Sequence, residues 1–173
     1  MIIDSAERRH YRPENKEERD PLYSGKKKTF TVKNTVICSL RKFIGFSGRT
    51  TQGSIHDKAL LCEELPDEEK WFDIYEVLVD LGYVGIQDNY EIKNLRIPVK
   101  RKRGKKDEPK TELTDEEKQY NKELSRTRVL AENALSGLKR FSILVNVFRN
   151  KILNFDDLTI GIPAGIWNLH LSI

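Results

Sequence analysis

The sequence lacks the features that mark secreted and membrane-spanning proteins. Only two of its 173 residues are cysteines, Cys38 and Cys62, and they form no C-x-x-C motif, so neither a disulfide framework nor a zinc site is indicated. No apolar signal segment follows Met1, and the longest apolar stretch, 158–173, is interrupted by glycine and proline. We therefore expect a cytoplasmic protein with reduced thiols and no membrane contact.

A strong charge imbalance and low-complexity segments are also missing. Charged residues make up 34% of the chain, but 31 Lys and Arg are nearly balanced by 27 Asp and Glu, for a net charge of +4. This composition does not favour disorder. The length suits one domain of roughly 100–200 residues. The composition predicts a single, mildly basic globular domain over 1–173.

Strand signals are spread along the chain. An apolar run at the start of the sequence predicts a first strand that ends at Asp4. Residues 29–38 alternate apolar and polar side chains, which is typical of a half-buried strand. The apolar run 74–79 predicts a buried strand that ends at Asp80. Shorter strands are predicted at 42–47 and 95–99.

Helix signals alternate with these strands. Ser54 and Asp57 have the spacing of a capping box and predict a helix from 55 to about 65. Thr114 and Glu117 repeat that spacing before a long amphipathic pattern. A last helix over 156–173 is suggested by apolar content, against which Pro163 argues. The order of elements predicts a mixed α/β fold.

Two carboxylates occupy positions where such folds place reactive groups. Asp4 and Asp80 both end predicted strands, and if those strands are neighbours, the carboxylates converge. Glu132 on the long helix could complete an oxygen-rich site for Mg²⁺ or Mn²⁺. With 27 acidic residues in the chain, however, some triplet would fit any such scheme. From spacing alone, solvated or helix-capping carboxylates remain the favoured interpretation.

Several motifs occur in a fixed order along the chain. They are DSAER at 4–8, YSGKKK at 23–28, GSIHDK at 53–58, DLGYVG at 80–85, RVLAE at 128–132 and GLKRF at 137–141. In this order they resemble insertion-sequence transposases, in particular the DDE superfamily endonucleases that include Harbinger-like relatives. The resemblance runs from about Ile2 to Leu171.

The resemblance implies a fold and a site. It implies a ribonuclease-H-like mixed β-sheet flanked by helices, in which Asp4, Asp80 and Glu132 are the catalytic residues and bind two divalent ions, Mg²⁺ or Mn²⁺. The implied reaction is phosphodiester cleavage and joining in DNA transposition. His56 and Asp57 match a family motif, but we favour a structural role for both.

DNA is the partner that the resemblance implies, both as element ends and as target. Seven of the eleven residues in 96–106 are Lys or Arg, and a second run of lysines lies at 26–28. Such clusters suit contact with DNA phosphates, although a solvated surface is the default interpretation. The predicted DNA-binding residues are Lys26, Lys27, Lys28, Lys100, Arg101, Arg103, Arg128 and Lys139.

The sequence also departs from the family pattern. Relatives normally carry a helix-turn-helix region before the first catalytic strand, and only three residues precede Asp4 here. We therefore expect an N-terminally truncated transposase domain that pairs with a separate N-terminal fragment or with itself. The alternatives are an inactive transposase remnant that at most binds DNA non-specifically, and a host nuclease domesticated from the same fold.

Overall fold

A computed structural model describes residues 1–101, 112–152 and 154–173. Within these ranges the chain forms a mixed α/β fold, as predicted. The strands are β1 (Ile2–Arg9), β2 (Tyr23–Ser24), β3 (Thr29–Cys38), β4 (Ile44–Ser47), β5 (Thr51–Gln52), β6 (Glu76–Leu78) and β7 (Asn94–Arg96). The helices are α1 (Lys16–Leu22), α2 (Asp57–Glu64), α3 (Asp115–Leu138) and α4 (Phe155–Ser172).

One mixed sheet organises the molecule. Its central path is β2-β3-β1-β6-β7, and β4 and β5 also pair with β3. β1 is antiparallel to β3 along its whole length, whereas it meets β6 in parallel only where Ile2 lies opposite Leu78. Among the described residues, no strand pairs with this second edge of β1 between Ile3 and Arg9. This edge of the central strand is therefore open only between β6 and Arg9, whose carbonyl accepts from the main-chain N–H of Phe148 at 3.0 Å.

Apolar side chains cover both faces of the sheet. On one face, Ile2, Ala6 and Val36 pack against α3 and α4. On the other face, Ile3 and Val77 pack against Leu61 of α2 and the aromatic residues that follow it. This arrangement follows from the alternation of side chains along a strand, which sends consecutive residues of β1 to opposite faces. Asp4 therefore faces the α3 side.

The first strand is longer than predicted. It extends to Arg9, so Asp4 is an interior residue of β1 and the prediction that the strand ends there is wrong. The charged residues after Asp4 are accommodated by distant partners. The guanidinium of Arg8, which is buried, donates to Thr159 and to Asn34 at 3.0 Å. These partners satisfy a buried charge that would otherwise end the strand.

The last helix is continuous although it contains Pro163. Pro163 and Ala164 are buried in the core, and Asn168 bonds both main-chain groups of Ile44 at 2.8 Å. Tertiary packing thus outweighs the local cost of proline and glycine in a helix. No helix in the described ranges is long and apolar enough to cross a membrane.

Candidate active site

The sheet places two of the predicted catalytic residues next to each other. Because Ile2 pairs with Leu78 in parallel, Asp4 and Asp80 each lie two residues beyond that pair on neighbouring chain segments. Asp80 follows the buried residues 77–79, as predicted, and begins a single 3₁₀ turn, Leu81–Tyr83. Strand pairing therefore brings the two carboxylates together.

Asp4 is the more deeply placed of the two. Its carboxylate accepts a hydrogen bond from the main-chain N–H of Ser5 at 2.8 Å. Burial raises the pKa of Asp4, and the negative charges of Asp80 and Asp57 raise it further, while the Ser5 N–H and Arg128 oppose these effects. Burial and the charge of Asp4 also raise the pKa of the Cys38 thiol to about 11. The site therefore concentrates negative charge in a partly desolvated place.

Arg128 of α3 neutralises part of this charge. Its guanidinium lies 3.0 Å from the Asp80 carboxylate. The capping box of Thr114 and Glu117 forms as predicted and begins α3, whose buried face packs on the sheet. Packing of α3 on the sheet thus positions the Arg128 guanidinium beside the Asp80 carboxylate.

Glu132 lies one turn after Arg128 on the same side of α3, and it is exposed. No three His, Cys, Asp or Glu side chains in the described ranges come together closely enough to hold a metal ion. The structure therefore brings Asp4 and Asp80 together, but it does not complete a three-carboxylate cluster with Glu132.

The two sheet carboxylates have the chemistry that a divalent ion requires. Carboxylate oxygens are the preferred ligands of Mg²⁺. Asp4 accepts only the Ser5 N–H among the described residues, so its oxygens retain free lone pairs. The positive charge paired with Asp80 is the guanidinium of Arg128 on α3, whose side chain is partly exposed and outside the apolar core. These residues fit a metal site in which Arg128 and a bound metal ion would compete for the Asp80 carboxylate.

A further carboxylate, Asp57, belongs to the same surroundings. Asp57 was expected to cap α2 together with Ser54, but that prediction is wrong: His56 is the N-cap residue, and no side chain caps the helix. The Asp57 carboxylate instead lies 2.9 Å from the ammonium group of Lys33. The alternation of side chains along β3 puts Lys33 on the face opposite Val32. This face was expected to be exposed to solvent, but α2 covers it. A lysine in an otherwise buried strand was the signal for this pair.

Comparison with known proteins decides the family. Residues 3–168 match the family model described as DDE superfamily endonuclease. The chain belongs to this endonuclease family. It is also 30% identical over all of its 173 residues to a protein of Microchaete diplosiphon named "Probable transposase for insertion sequence element IS702". The chain spans 58% of the length of that relative. No solved structure matches it.

In this DDE endonuclease-family chain, part of the predicted DNA-binding set gathers around one cleft. The cleft has a volume of about 330 Å³, and its lining includes Lys27, Lys139 and Arg9. Lys27 lies between β2 and β3, and Lys139 ends α3, so two predictions from distant segments meet here. Arg9 was not predicted; its position at the end of a charged strand gave no signal. We call this space the basic cleft.

A second cleft adjoins the first through their shared residue Glu7. It has a volume of about 470 Å³ and is lined by Lys26, Lys33, Asp57 and Ser5, among others. Ser5 and Glu7 point to the α2 face of β1, so this cleft, the α2 cleft, lies on the face opposite to Asp4.

The remaining predicted contacts are distributed along α3. Asn121 bonds the main chain of Val99 at 2.8 and 3.0 Å, which places exposed Lys100 and Arg101 beside the first half of the helix. Lys28 is exposed in the turn before β3. Arg128 faces Asp80, and Arg103 lies outside the described residues.

Proposed function

We propose that this chain is the nuclease and strand-transfer domain of a DDE transposase, which cleaves and joins phosphodiester bonds of DNA with two divalent ions. The observation that carries the proposal is the pairing of β1 with β6, which puts Asp4 and Asp80 side by side. Family membership supports the nuclease class. The name of the Microchaete diplosiphon relative supports transposition as the process.

The sheet topology supports the ribonuclease-H-like fold that the resemblance implies. The first strand is central, and the strand that precedes Asp80 lies parallel to it. The helix that carries Glu132 packs across the face toward which Asp4 projects. These three relations are what a fold needs to supply two carboxylates from a sheet and one from a covering helix.

Asp4, Asp80 and Glu132 would hold the metal ions, either Mg²⁺ or Mn²⁺. When bound, such ions activate an attacking oxygen and stabilise the leaving oxygen of the phosphodiester. Glu132 is exposed one turn after Arg128 on the same side of α3, so in the proposed site α3 would have to shift to bring its carboxylate to the sheet. Arg128 would then be released from Asp80 and available to a DNA phosphate.

The rest of the site orients DNA. Arg9, Lys27 and Lys139 line the basic cleft and carry no ion pair among the described residues, so they are free to contact phosphates. Lys100 and Arg101 lie near Asn121, and Lys139 lies 18 residues further along the sequence. At about 1.5 Å per residue, this separation is roughly 27 Å along α3. A DNA backbone that follows α3 would pass the carboxylates between two basic regions.

The experiment is nicking of supercoiled plasmid by the whole chain in Mg²⁺ or Mn²⁺, compared with Asp80→Asn and with the exposed control Asp115→Asn. We expect Asp80→Asn to lower nicking on the order of 10⁴-fold without unfolding the protein. Asp115→Asn should nick like the parent. Unchanged nicking by Asp80→Asn would refute the assignment of the site.

The second candidate is a remnant that binds DNA without cleaving it. The basic cleft favours it, because its three cations could hold phosphates whether or not the carboxylates bind metal. DNA binding that persists in EDTA, falls with salt and is accompanied by no nicking would support this alternative.

A further inference from the structure

The ion pair between Lys33 and Asp57 is buried to an unusual degree. Lys33 is 8% exposed in the middle of β3, and its ammonium group donates to the Ile55 carbonyl at 2.7 Å as well as to Asp57 at 2.9 Å. Fixing a lysine inside a sheet requires such partners, because its desolvated charge would otherwise be costly. The pair therefore holds the start of α2 firmly against β3.

Asp57 is in contact with the turn that begins at Asp80. A Cβ atom on Gly82 would lie 2.9 Å from Oδ2 of Asp57, closer than side-chain atoms pack. A side chain at this position would have to displace the Asp57 carboxylate. Asp57 thus packs against the turn from the side of α2, while the turn follows strand β6 in the sheet.

Asp57 lies near enough to Asp4 for its charge to act on that carboxylate. Its charge raises the pKa of Asp4, after the effects of burial and of Asp80. Tyr83 lies beneath the turn, 1% exposed, and its hydroxyl has no hydrogen-bond partner among the described residues. Burial, then Asp57 and then Asp4 raise the pKa of Tyr83. Three carboxylates are therefore within electrostatic reach of one another.

Two of the three carboxylates have a paired cation. Lys33 pairs with Asp57 and Arg128 with Asp80, both at about 3 Å, while Asp4 bonds only the Ser5 N–H among the described residues. The two pairs differ in burial: the Lys33 side chain is 10% exposed and that of Arg128 is 22% exposed. The Arg128 pair is therefore the more exposed of the two.

We propose that Asp57, held by Lys33, is a positioning residue that sets the Asp80 turn at the spacing from Asp4 that a divalent ion requires. This inference rests on the proposed function, because it needs Asp4 and Asp80 to be metal ligands. Asp57 acts through the turn and is not itself a ligand. Its loss widens or loosens the spacing between the two carboxylates and weakens metal binding before it changes the fold.

The experiment is calorimetric titration of the whole chain with Mn²⁺, with thermal unfolding recorded for each variant. Asp57→Asn should weaken Mn²⁺ binding by about 10–100-fold, the usual effect of losing a group that orients a metal ligand. Lys33→Met should weaken it similarly, and the conservative variant Lys33→Arg should restore most of the affinity. The matched control is Asp115→Asn, which breaks an ion pair of the same residue types and the same 2.9 Å length on the exposed surface of α3.

A second variant covers the possibility that Asp57→Asn does not fold. Gly82→Ala keeps the ion pair but pushes a methyl group against the Asp57 carboxylate. Gly82→Ala should also weaken Mn²⁺ binding. Adding Asp57→Ala to it removes the clash, and this double variant should bind Mn²⁺ no more weakly than Gly82→Ala alone.

The outcomes separate the inference from the proposed function. Mn²⁺ binding that is lost in Asp80→Asn but intact in both Asp57→Asn and Gly82→Ala would overturn the inference and leave the function standing. Equal weakening of Mn²⁺ binding by Asp57→Asn and Asp115→Asn would also overturn the inference, because losing any negative charge would then weaken Mn²⁺ binding. A parent chain that binds no Mn²⁺ would refute the proposed site, and the inference with it.

Discussion

Asp4 and Asp80 are held by the sheet, whereas Glu132 is held by a helix that lies across it. The first two follow from strand pairing, and their positions are set by main-chain hydrogen bonds. Glu132 depends on how α3 docks, and it remains exposed while Arg128 occupies Asp80. In the proposed site the sheet therefore supplies one half, Asp4 and Asp80, and α3 supplies the other half, Glu132.

The largest expected effect tests the helix half. Glu132→Gln should lower plasmid nicking on the order of 10⁴-fold, as for Asp80→Asn, because a proposed ligand is lost. Its melting temperature should stay unchanged, since Glu132 is exposed and forms no ion pair among the described residues. Glu116→Gln, an exposed carboxylate in the first turn of α3, is the control. Full activity of Glu132→Gln would mean that the helix carries no ligand at this position.

A smaller effect tests the contact between the two halves. Arg128→Met should lower the melting temperature by roughly 2–4 °C without metal, because Asp80 and Asp4 lose the cation that offsets their charges. Mg²⁺ should raise the melting temperature more in this variant than in the parent, since the ion no longer competes with a guanidinium. Arg126→Met, an exposed arginine on the same helix, should change neither value. An identical Mg²⁺ response in the parent and Arg128→Met would show that Arg128 does not compete with the ion.

The smallest effect tests the sheet half. The folded protein raises the pKa of Asp4 above its ordinary value of 3.8, so ionising this group disfavours the fold. Stability is therefore highest below that value and is lost as the pH rises through the raised pKa. Asp4→Asn should be more stable than the parent near neutral pH and equal to it near pH 4, by urea unfolding. A stability difference that stays constant across this range would exclude Asp4 as its cause.

Predictions from sequence succeeded where the signal was local. The Thr114 capping box and the strand over 29–38 depend on residues close together in the chain, and both are confirmed, but the prediction that this strand is half-buried is wrong, because residues 31–36 are buried on both faces. The run 74–79 before Asp80 is confirmed only in its second half: Val77–Val79 are buried, whereas Ile74 is 83% exposed and the strand begins at Glu76.

Predictions failed where a distant residue decides the structure. The end of β1 was misplaced because Arg8 is satisfied by Asn34 and Thr159, which its sequence neighbours do not reveal. Asp57 was interpreted as a helix cap because its actual partner, Lys33, is 24 residues away. The residue that local reasoning assigned to capping is therefore held by a long-range ion pair to β3.

The open edge of β1 has a consequence for how this chain behaves at high concentration. An unpaired strand edge offers main-chain donors and acceptors to any extended polypeptide, and natural proteins protect such edges with charged side chains. At the far end of this edge the main-chain N–H of Phe148 donates to the Arg9 carbonyl at 3.0 Å, and the Arg9 side chain is exposed. The unpaired part of the edge is therefore bounded by β6 and by Phe148, and a second strand could add only between these two contacts.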